Sequence, residues 1–186
     1  MFFQTYWQKG RNNMMNLVDF LNSKVGTAQF DWEEIETELE FQLNEGLKSF
    51  YSRAYERIIR GEINFKEADY IVPTGNDKFD KWFSFNKIKG KIEIKLNTIK
   101  SQEDAQTRIN NAFYEWKGKN DFGQRFLMGN FYTKIGNILI LFNNETGKVE
   151  WMDCEYGYFN VYEQNPNGVL ANTMDEFIVK LSKTAV

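Results

Sequence analysis

The sequence predicts an α+β fold, an antiparallel β-sheet wound as a meander and packed against helices. Three observations carry that reading. The first third holds apolar residues at helical spacing, the middle switches to strict alternation in "KIKGKIEIKL", and the last third strings short apolar runs between turn residues. The order is helices, strands, one helix, strands and a final helix.

Taken along the chain, "NNMMNLVDFLNSK" reads as a helix ending near Gly26. "DWEEIETELEFQL" follows, opened by the capping-box pair Asp31 and Glu34, with Trp32, Ile35, Leu39 and Leu43 on one face. Phe41 points elsewhere and needs its own cover. Asn44–Gly46 divides or kinks this helix. Leu47, Phe50, Tyr51, Ala54, Tyr55 and Ile58 then continue a helical stripe, with Gly61 as its stop.

In "KIKGKIEIKL", Ile88, Ile92, Ile94 and Leu96 share one face of a half-buried strand and the lysines with Glu93 the other. Ser101 and Asp104 cap a helix that turns Ala105, Ile109, Ala112, Phe113 and Trp116 inward. "RFLMGNFYTKIG", "NILILF", "KVEWMDC" and "YFNVYEQ" are spaced as a meander. The last helix opens with the capping box Thr173 and Glu176 and buries Met174, Phe177, Ile178 and Leu181.

The chain has 186 residues, 42% apolar and 17% aromatic, which suits one core. With only two prolines and no low-complexity tract, no linker divides it. Residues 1–28 read as an N-terminal helical extension and residues 29–186 as a single α+β domain. The opening "MFFQTYWQKG" lacks a basic start and a cleavage site, and no apolar run approaches the ~20 residues of a membrane helix. A cytoplasmic protein is expected. The lone Cys154 fits a reducing compartment and reads as a packing residue.

There is no histidine. Ser-His-Asp and Cys-His nucleophiles are therefore excluded, as are zinc sites of the Cys/His kind. Acid–base work would fall to paired carboxylates, Asp153 with Glu155 or Glu33 with Glu36. Glu33 and Glu36 are explained by solvation of a helix face. No phosphate loop, nucleophile elbow or cofactor motif accompanies either pair, so no enzyme activity and no cofactor are expected.

"IGNILILFNNETGKVEWMDCE" tests the metal reading. With Gly147 at position six of a calcium loop, Phe142 takes position one and Asp153 position twelve. Phenylalanine cannot ligate calcium, so no metal is expected. A β-hairpin needs nothing extra: "ILILF" suits a strand covered on both faces, "NNETG" a turn with Gly147 at positive φ, and "KVEWMD" the return.

This strand, the x-x-Thr-Gly-x-Val turn and the later "VLANTMDEFIVKL" together resemble the C-terminal half of the SUKH superfamily. Leu170, Ala171, Met174, Glu176, Phe177, Ile178 and Leu181 occupy the family's ending. "FLMGNFY" is similar to its Ile-Gly-Asp strand, with Met128 and Asn130 as departures. "IETELEFQLNEGLKSFYSRAY" looks like its opening helices without the customary proline. The resemblance covers about two thirds of the chain, and residues 61–120 match poorly. It implies a binding protein that neutralises a cognate bacterial toxin, or alternatively a scaffold for cell-wall regulation.

Two segments invite a partner. Between Leu141 and Gln164 five acids face one base, a local net charge of −4. Glu145, Glu150, Asp153, Glu155, Tyr156 and Tyr158 form the candidate surface for a basic partner such as a toxin domain. An ordinary sheet face with its aromatics inside explains the same residues. From Asn86 to Lys100 five lysines and one Glu give +4, so the Lys87–Lys100 segment is a candidate for single-stranded nucleic acid. Lysines that solvate and guard a strand are the simpler account, since the whole chain carries −3.

Overall fold

The computed structural model describes residues 17–22, 29–55, 59–65, 90–97, 99–117, 123–132, 138–153 and 167–184. In order the elements are α1 (Leu17–Asn22), α2 (Trp32–Leu39), α3 (Glu45–Arg53), β1 (Ile59–Phe65), β2 (Gly90–Leu96), α4 (Gln102–Lys117), β3 (Arg125–Tyr132), β4 (Ile138–Asn143), β5 (Val149–Asp153), β6 (Asn167–Ala171) and α5 (Met174–Thr184). The fold is α+β, as the sequence predicts.

The six strands lie in sequence order β1 to β6, and each neighbouring pair is antiparallel. β4 pairs with β5 across the expected turn, Ile138 opposite Asp153 and Phe142 opposite Val149. Phe65 on β1 and Trp151 on β5 measure how far the sheet curls. Four strand spacings would hold them about 19 Å apart in a flat sheet. Their ring centroids lie 5.4 Å apart. The meander is therefore a half-barrel, its concave side filled by Ile63, Phe65, Ile94, Phe126, Phe131, Ile140, Phe142 and Trp151. α5 packs against β1, α3 and β6 and fills the mouth with Phe177, Ile178 and Leu181. Lys180 of α5 donates to the Leu170 carbonyl (2.7 Å), which covers part of the β6 edge.

α1 lies within the stretch read as an extension, and its Phe20 is fully buried in this core, 5.7 Å from Phe50. Both expected capping boxes are half-made. Asp31 accepts from the Glu34 N–H (3.0 Å), but its own N–H goes to Gln102 on α4 (2.9 Å). Thr173 accepts from the Glu176 N–H (3.1 Å), while the Glu176 carboxylate accepts from Asn172, one residue earlier than expected (2.9 Å). Phe41 finds its cover in Phe126, with ring centroids 6.3 Å apart.

The helix predicted over residues 31–60 divides at residues 40–44 and ends at Arg53. Glu40 caps α2 at φ 62°, ψ 22°, the left-handed region. Glu36 locks the corner by accepting from the Leu43 N–H (2.8 Å) and pairing with Lys48. Burial pulls the Lys48 ammonium down, but hydrogen bonds to Glu36 and Glu45 outweigh it and hold the group above its ordinary value. Removing the Cβ at position 40 should relieve the left-handed strain. Glu40→Gly is expected to stabilise the protein by about 1 kcal/mol, a rise in melting temperature of about 2–4 °C by calorimetry.

Two strands depart from expectation. Ile59–Phe65 continues no helix; it is β1, buried at Ile59, Gly61, Ile63 and Phe65 and more open between them. Gly61 is not a helix stop but a strand residue opposite Ile94. The strand expected at Tyr158–Gln164 lies outside the described residues, and the sixth strand of the sheet is Asn167–Ala171.

Candidate functional site

The hairpin turn is built by asparagines. The Asn143 side-chain oxygen accepts from the N–H groups of Glu145 and Thr146 (both 3.1 Å), and Gly147 closes the turn at φ 71°. Asn144 ties the turn to the helices. Its side-chain nitrogen donates to the Gln42 carbonyl (3.0 Å) and to Gln124 (2.8 Å), and its oxygen accepts from the Asn44 N–H (2.7 Å). Asn44 in turn caps α3 through the Gly46 N–H (2.9 Å). A Cβ on Gly147 would sit 3.3 Å from the Asn44 side chain, so the turn and the helix start are in close contact. The stretch is architecture, consistent with the hairpin reading.

The acidic surface expected here is divided by that architecture. Glu145 is exposed in the turn. Glu150 is buried: its carboxylate accepts from the Arg125 Nε (2.7 Å) and from the Asn143 side chain (3.1 Å). Asp153 is fully buried. Glu155, Tyr156 and Tyr158 lie outside the described residues. The expectation that Glu150 and Asp153 present charge to a partner is therefore corrected. β5 is buried at all five positions, so its polar alternation marks no solvated face. Trp151 points into the concave core, while Leu139, Leu141 and Met152 form a second apolar cluster, with Leu127 packed against it.

The same geometry bears on the carboxylate pairs weighed for acid–base chemistry. Glu36 is held by Lys48 and the Leu43 N–H, whereas Glu33 faces solvent. Asp153 is enclosed, and Glu155 is outside the described residues. Among the described residues, no three His, Cys, Asp or Glu side chains are grouped so as to hold a metal ion. Among them too, no helix is long and apolar enough to cross a membrane.

Exposed charge gathers in two other places. The first is α2. From Gln29 to Leu47 the chain has seven acids and no base, and Asp31, Glu33, Glu34, Glu38 and Glu40 are exposed. The composition signalled this face, but solvation of a helix explained it and the aromatic-rich hairpin drew the partner reading instead. The second is the convex face of β1–β2–β3, where Tyr132 is 47% exposed. Lysines of the Lys87–Lys100 segment reach it, but they are interleaved with acids. Lys91 lies 3.7 Å from Glu62, and Arg60 lies 3.8 Å from Glu93. Lys87 and Lys89 lie outside the described residues.

No family model, curated protein or solved structure matches the chain.

Proposed function

We propose that the chain is a non-enzymatic protein-binding domain of the SUKH kind, an immunity protein that neutralises a cognate toxin by binding it. The observation that supports the reading is the placement of the resembling residues. Asn143 and Gly147 make the turn, Leu170 and Ala171 end β6, and Met174, Phe177, Ile178 and Leu181 fill the core beneath it. The resemblance thus falls on residues that build the fold, leaving the surface to set the partner. Within this reading the partner is basic and meets the five exposed acids of α2 and its caps, rather than Glu150 and Asp153.

Growth of cells producing a basic toxin domain that the chain binds in a pull-down tests the proposal. Co-production of the chain should restore growth. Growth arrest unrelieved by a folded, abundant chain would refute it.

A further inference from the structure

The convex face of β1–β2–β3 carries its charges in rows. Register places Arg60 opposite Lys95 and Lys95 opposite Asn130. Two residues further along, Glu62 stands opposite Glu93 and Glu93 opposite Tyr132. A cationic row and an anionic row thus run side by side across β1 and β2, about 6.7 Å apart, and the uncharged Asn130 and Tyr132 continue them on β3. Their side chains point away from the core, because Ile63, Phe65, Ile92, Ile94, Leu96 and Phe131 bury the alternate positions.

Like charges directly opposite one another destabilise a sheet. Among the described residues the diagonals relieve them, Arg60–Glu93 at 3.8 Å and Lys91–Glu62 at 3.7 Å. The four side chains keep 44–61% of their surface exposed, so solvent screens both contacts. The stronger complement lies in the pattern itself. A two-fold axis in the plane of the face, midway between the rows, lays the cationic row of one copy over the anionic row of another. Arg60 then meets Glu62 of the second copy, Lys95 meets its Glu93, and Asn130 meets its Tyr132. The operation repeats each contact, as an isologous interface requires. The two rows sum to zero charge, Arg60 and Lys95 against Glu62 and Glu93, so the −3 of the whole chain does not oppose contact at this face. Sheets stack about 10 Å apart, a gap that arginine or lysine and glutamate span from opposite sides.

We propose that this face docks on the same face of a second copy of the chain, giving a two-fold dimer held by reciprocal ion pairs and separate from the acidic face of α2. Sedimentation velocity of the full chain tests it. The unmodified protein should dimerise at about 0.05 M salt and bind itself at least about tenfold more weakly near 1 M, where the Debye length falls to ~3 Å. R60E/K95E has two anionic rows and E62K/E93K two cationic ones, so each should be monomeric at low salt. Their equimolar mixture should dimerise again. A chain that stays monomeric at low salt overturns the proposal, as does a dimer indifferent to salt. Two folded variants that remain monomeric when mixed also overturn it.

Discussion

Glu150→Lys is expected to destabilise the protein by about 3–5 kcal/mol, because it leaves the half-buried Arg125 beside a second cation instead of its carboxylate. The Glu150 side chain retains 7% of its surface and that of Arg125 15%, so water cannot take over the lost pairing. The Asn143 side chain loses its acceptor as well, which loosens the turn it organises. Urea unfolding should show a lower midpoint with an unchanged slope. Glu150→Gln keeps an acceptor for Asn143 and should cost less. A Glu150→Lys midpoint equal to that of the unmodified protein would mean the carboxylate is solvated.

Gly129→Ala should cost about 3 kcal/mol or more, a fall in melting temperature of about 6–12 °C. Gly129 sits on β3 where the pairing register with β4 shifts, and β2 passes close by. An added Cβ would collide with the Lys95 carbonyl oxygen and lie 2.9 Å from the Leu96 Cα. Both obstacles are backbone atoms of a paired strand, so neither can swing aside as a flexible side chain would. Calorimetry of the single variant checks this. A loss below about 0.5 kcal/mol would show that β2 and β3 separate at low cost.

These two positions also mark where sequence stopped being legible. The β4–β5 hairpin was readable because its signals are local: an apolar run, Asn and Thr-Gly turn chemistry, and a return strand within a few residues. The caps of α2 and α5 were readable in part for the same reason. Their second hydrogen bonds went to Gln102 and Asn172, partners the motif does not specify. β1 was missed because a helical stripe ran into it and Gly61 imitated a helix stop. Its alternation of Ile59, Ile63 and Phe65 gains meaning only beside β2. The burial of Glu150 was hidden more deeply. An acid alternating with apolar residues looks solvated from either side, and the Arg125 that neutralises it is 25 residues away. The charge rows on the convex face were equally invisible, since they exist only across the β1–β2 register.

The placement of the partner surface is tested most directly by stopped-flow association of the chain with the proposed toxin partner at low and physiological salt. Electrostatic steering acts through exposed charge and is screened beyond a Debye length of about 8 Å at physiological ionic strength. Glu33 on α2 and Glu40 at its C-cap are exposed, so E33K/E40K should fold normally and associate more slowly, with the larger deficit at low salt. An association rate unchanged at both salt concentrations, in a variant that unfolds at the same urea midpoint as the unmodified protein, would contradict the assignment of the toxin to the acidic face of α2.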